Sequence, residues 1–116
     1  MNFVKEFNCR EVVCTPEKLE AVWDYLRSTF PRVEAHVHSY GEPQAHDFRV
    51  RDSDGTPYAL SLETAFIDGT MSSRIVAELR VRDVAEQMRE NKKPLLLNSD
   101  GKLMVRDTGQ PISRRE

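Results

Sequence analysis

The residues best suited to chemistry fall in one short stretch, His36-x-His38-x-x-x-Glu42, with His46 four residues later. Alternate residues of a strand face the same side, so His36 and His38 can converge on one ion, and neutral imidazole suits zinc, iron or copper. Glu42 would complete a three-ligand set. The competing reading makes both histidines solvent-facing strand residues beside a turn, because short motifs match often without context. Metal is therefore expected to be dispensable, and no cofactor is expected.

The seven residues from His36 to Glu42 are similar to the metal-binding stretch of the cupins, in which two His and a Glu recur at this spacing. The resemblance implies a metal-dependent enzyme built on His36 and His38. Phe30 stands where the cupin pattern has its upstream glycine.

Other constellations are thinner. Cys9 and Cys14 lie in one predicted strand, which sets them about 16 Å apart, whereas a disulfide spans roughly 7 Å or less. Both are read as reduced, packing thiols. Asp52-x-Asp54-Gly55 hints at calcium but lacks the later acidic ligands, and a hairpin turn explains it better. The glycines are scattered among turns, so no phosphate-cradling loop is read, and no glycine-flanked serine nucleophile occurs.

The elements that must position these residues follow from periodicity. Residues 2–14 read as a strand. Thr15-Pro16-Glu17 opens a helix, and Leu19, Val22, Trp23, Leu26 and Phe30 form its apolar stripe, which predicts a helix over 16–30. The period then becomes two. Val33, Ala35 and Val37 alternate with Glu34, His36 and His38, and Phe48 and Val50 alternate with Asp47, Arg49 and Arg51. After the turn at Asp52–Gly55 a further strand is predicted over 58–66. Ile75, Ala77, Leu79 and Val81 fit period two without a miss, which predicts a strand rather than one long helix over 73–92. Asp83-Val84-Ala85-Glu86 has capping-box spacing and opens a short helix with Val84, Ala85 and Met88 inward, stopped by Pro94. Leu95-Leu96-Leu97 and Leu103-Met104-Val105 flank a turn and form a last hairpin.

The order β-α-β-β-β-β-α-β-β predicts an α+β fold, a twisted antiparallel β-sheet packed on one main helix. One domain is expected over 1–106, with a polar, flexible tail over 107–116. The layout loosely resembles the cystatin-like class, a resemblance that carries no function with it. Placing the apolar phase inward puts Arg49, Arg51, Glu63, Glu78, Arg80 and Arg82 together on the opposite sheet face, with His36 and His38 beside them.

A formal net charge of −2 over 116 residues argues against a dedicated polyanion binder. No apolar run approaches the roughly 20 residues of a membrane span. The N-terminus alternates charged and apolar residues, unlike an export signal, so the cytoplasm is the expected compartment. No assembled catalytic chemistry is read. The expected function is a small non-catalytic binding or protein-interaction module, homodimeric, using the arginine-rich face toward a protein partner or a small anionic ligand. Two other readings are a metal-dependent enzyme on His36 and His38 and a nucleic-acid-binding accessory protein, although nucleic acid is not the favoured partner.

Overall fold

The computed structural model describes residues 16–41 and 44–112. The predicted first strand with Cys9 and Cys14, the Thr15 cap, Glu42 and the last four residues lie outside the described residues.

Helix α1 spans Pro16–Thr29 and buries Leu19, Val22, Trp23 and Leu26 along the stripe the sequence predicts, with Tyr25 buried in addition. Phe30 closes it, its N–H donating to the Leu26 carbonyl. Strands β1 (Arg32–Ser39), β2 (Ala45–Arg51) and β3 (Pro57–Glu63) then form an antiparallel meander. The turn between β2 and β3 is the Asp52–Gly55 sequence, with Gly55 at a φ of 89°, a left-handed conformation that glycine adopts without a Cβ penalty.

The chain after β3 departs from the expected hairpins. It becomes helical at Thr64–Asp68 (α2), so the strand predicted over 58–66 ends at Glu63. A single 3₁₀ turn, Ser72–Arg74, then leads into α3 (Ile75–Val81). The strand predicted from Ile75, Ala77, Leu79 and Val81 is thus a helix. Ile75 and Leu79, four residues apart, are buried, whereas Ala77 is exposed and Val81 is 62% exposed. Alternation was satisfied by chance, because Ala and Val tolerate either environment. The better signals were helix-forming Ala, Glu, Leu and Arg, and the i,i+4 pairs Arg74–Glu78 and Glu78–Arg82. Val81→Lys should therefore change stability by no more than about 0.5 kcal/mol, while Leu79→Ala should cost about 2–5 kcal/mol. Comparable losses for the two in urea titrations would contradict the helical phase.

Helix α4 (Val84–Asn91) follows, burying Val84, Ala85 and Met88 as expected. Asp83 separates it from α3 in a left-handed conformation, φ 51° and ψ 45°, which aspartate tolerates better than most residues. Its side chain makes no capping bond, so the capping-box expectation is corrected. The Asp83 carbonyl instead accepts from the Gln87 N–H at 2.9 Å.

Strands β4 (Leu95–Leu97) and β5 (Leu103–Val105) form the last hairpin, and the five strands lie in the order β1-β2-β3-β4-β5. The sheet is mixed. Leu60, Ser61 and Leu62 of β3 pair in parallel with Leu95, Leu96 and Leu97 of β4, because a helical crossover carries the chain back to the starting end. The α+β class stands, with more helix than the single main helix expected, and the cystatin-like layout is not confirmed. Beyond β5 the chain turns back, with the Ile112 N–H donating to the Leu103 carbonyl and Met104 bridging Pro111.

One sheet face carries Phe48, Val50, Leu60, Leu62, Leu95 and Leu97 into a core shared with the helices. Arg89 ties three elements together. Its guanidinium grips both carboxylate oxygens of Asp52 at 2.9 and 3.2 Å, donates to the Thr29 carbonyl and lies over the Phe30 ring. That hydrogen-bonded pairing holds the Asp52 carboxyl below its ordinary pKa, and it gives the aspartate a structural use in place of calcium.

Candidate functional sites: a histidine stack and a basic groove

A single extra residue decides where the histidines point. Val33 pairs with Val50, but Ala35 pairs with Arg49, so Glu34 is a bulge and the phase of β1 reverses beyond it. His36 then pairs with Phe48 and His38 with His46, on the core-facing side, while Val37 turns outward. The expectation that His36 and His38 lie on the polar sheet face is corrected by this bulge.

His46 is 1% exposed. His36 Nε2 and His46 Nδ1 are 2.9 Å apart, so one ring donates and the other accepts. The His38 and His46 rings stack with centroids 4.2 Å apart and planes 11° from parallel. Among the described residues, neither nitrogen of His38 nor the second nitrogen of His46 has a hydrogen-bond partner. Burial makes the charged form costly and pushes His36 down to about 4 and His46 down to about 3, each reinforced by its neighbouring rings. His38 is lowered as well, mainly by burial, with Asp47 opposing.

These rings are poorly set to chelate. An imidazole lone pair lies in its ring plane, and stacked parallel rings direct their lone pairs along separate planes. Among the described residues, no group of three or more His, Cys, Asp or Glu side chains is arranged to hold a metal ion. Glu42 lies outside the described residues, so the seven-residue ligand set has no described geometry.

The expected arginine face is divided. Arg49 and Arg51 are on β2, but Glu78 and Arg80 belong to α3 and Arg82 caps its end, outside the sheet. Arg82 is a brace. It donates to the carbonyls of Gly101 and Glu78 and pairs with the Glu78 carboxylate at 2.6 Å. Gly101 is required for this approach, since a Cβ there would meet the Arg82 guanidinium at 2.6 Å. Glu63 accepts from the Ser99 N–H across the sheet end, and Arg80 is exposed on its helix.

What the fold adds to Arg49 and Arg51 is Lys92 and Lys93. A groove of about 280 Å³ runs between the β2–β3 surface and the segment entering β4, lined by Glu34, Arg49, Arg51, Tyr58, Lys92 and Lys93 among others. The parallel placement of β4 beside β3 brings this lysine pair alongside arginines more than 40 residues earlier. Lys92 adopts a left-handed conformation, φ 56°, that ends α4 and turns the chain toward the sheet. Glu34, the bulge residue, engages Arg51 at 2.9 and 3.4 Å. This hydrogen-bonded pairing lowers the Glu34 carboxyl from its ordinary pKa. Arg49, Lys92 and Lys93 carry no ion pair or side-chain hydrogen bond to another described residue.

Sequence reasoning missed the groove because Lys92-Lys93 reads as a solvated helix end. His46 was more legible, since it shares the inward phase of Phe48 and Val50. No family model, curated protein or solved structure matches this chain. No helix among the described residues is long and apolar enough to cross a membrane.

Proposed function

We propose that this chain is a non-catalytic binding module that holds an anionic partner in the groove of Arg49, Arg51, Lys92 and Lys93. The observation that carries the reading is the charge balance of that groove, four cationic side chains against the one carboxylate of Glu34. Like charges gathered around a concave, partly desolvated surface raise the local potential and favour an anion. The catalytic alternative has less support, because the histidine rings stack on one another, with His36 and His46 joined through one nitrogen each. Recognition of nucleic-acid bases lacks a stacking surface here, since the Tyr58 ring packs on Phe30 with centroids 5.6 Å apart.

Titration of the protein with a hexaglutamate peptide and with phosphate compounds at low salt tests the reading. Backbone amide shifts should cluster at 49–51 and 92–94 and shrink as salt rises, since exposed charges are screened within about 8 Å at physiological ionic strength. Shifts scattered over the surface, or none, would overturn it.

A homodimer is the second element of the proposal. Strand β1 pairs on one side with β2, and no other described strand occupies its outer edge; Val37 and Tyr40, both more than half exposed, lie along and beyond it. A strand edge without a described partner is where a second strand can add. Light scattering should give twice the chain mass, and Val37→Lys should return it toward the monomer; a monomer for the native chain would remove this element.

A further inference from the structure

Resting on the binding-module reading, we infer that the groove is a site for a small phosphomonoester, with Arg49, Lys92 and Lys93 as donors to its phosphoryl group and Arg51, held by Glu34 and the Gly55 carbonyl, forming the wall beside them. The donors come from separate walls. Arg49 and Arg51 project from adjacent same-face positions of β2, and Lys92 and Lys93 stand on the segment opposite. A carboxylate is planar and is satisfied by one guanidinium fork, as Glu34 is by Arg51. A phosphoryl group presents three acceptor oxygens in a tetrahedral arrangement and can take donors from both walls at once.

Charge points the same way. Arg51 is largely matched by Glu34, which leaves Arg49, Lys92 and Lys93 without a described counter-ion. A phosphomonoester carries about 1.5 to 2 negative charges near neutral pH and compensates most of that surplus, where a single carboxylate compensates less. Size selects a small molecule. A space of about 280 Å³ falls just below the roughly 300–1,000 Å³ of pockets that enclose drug-sized ligands. The two recognition chemistries are complementary: the Arg49 guanidinium fork orients the oxygens, and the lysine ammonium groups act as mobile point charges.

The probes are phosphoserine as the free amino acid, inorganic phosphate, acetate and a hexaglutamate peptide, each titrated at pH 7.5 and at low and physiological salt. Phosphoserine is expected to saturate, with amide shifts at 49–51 and 92–94. The double variant Arg49→Gln with Lys93→Gln is expected to bind it at least tenfold more weakly while melting at the native temperature. Affinity should also fall between pH 7.5 and pH 5.5, as the second phosphoryl proton returns near pH 6. Saturable hexaglutamate binding with none by phosphoserine would overturn the phosphoryl assignment and leave the binding-module reading standing. Equal binding of acetate and phosphoserine would overturn it in the same way. No localised shift with any probe would remove both. Undiminished phosphoserine affinity in the double variant would show that the groove is not its site.

Discussion

Acidification from pH 7 to pH 5 should lower the unfolding free energy by about 2–4 kcal/mol, chiefly through His36 and His46. Both folded-state pKa values are depressed, to about 4 and about 3, because the rings are held neutral in the interior. The unfolded chain takes up protons on these residues below about pH 6.5, while the folded chain does not. Stability from this source is therefore full above about pH 6.5 and declines as pH falls toward 4 and 3, where the folded rings titrate as well. Each neutral imidazole forfeits about 1.4 kcal/mol per unit of pH in that window, and the lower bound allows for water reaching the half-buried His36. The His36–His46 contact sharpens the effect, since a doubly protonated pair would set two N–H donors face to face at 2.9 Å. Relief is small, as the acidic group acting on His36 and His38 is Asp47, whose backbone position directs it to the other side of the sheet. Urea titrations from pH 5 to 8 measure the slope. His46→Phe should roughly halve it and leave stability at pH 7.5 nearly unchanged, because the buried Nε2 without a described partner disappears while His36 Nε2 loses the partner it had. A native profile that is level from pH 7 to 5 would contradict the buried stack.

Removing the single tryptophan should have a large effect: Trp23→Ala is expected to cost about 3–5 kcal/mol. Trp23 is buried on α1 and meets Phe48 of β2 edge-on, with centroids 6.3 Å apart and planes at 66°. It therefore joins the helix to an interior strand of the sheet, and truncation leaves a cavity whose far wall is a strand that cannot follow it inward. Trp23→Phe should retain much of the packing and lose markedly less. The same burial predicts blue-shifted native emission that moves to longer wavelength on unfolding. Emission like that of free indole in the native protein, or a Trp23→Ala variant melting within a few degrees of the parent, would mean that α1 does not seal the core.

The sequence by itself determined the elements whose pattern admits one reading. The three- and four-residue steps from Leu19 to Phe30 can be buried only as a helix, and Phe48, Val50, Leu60 and Leu62 alternate around a turn whose residues suit it; all are buried as expected. It left α3 ambiguous, because Ile75, Ala77, Leu79 and Val81 alternate while Ile75 and Leu79 also fit a helical step of four, and packing against α1 and the crossover to a parallel β4 go with the i,i+4 pair. Nor could it determine either candidate site. A bulge of one residue at Glu34 inverts the face of everything beyond it on β1, and local sequence records no such shift. The groove unites β2 with the segment before β4, an adjacency created by parallel pairing through β3. Side-chain chemistry was legible in the chain; which charges and rings meet was decided by strand register and strand order, which are properties of the whole sheet.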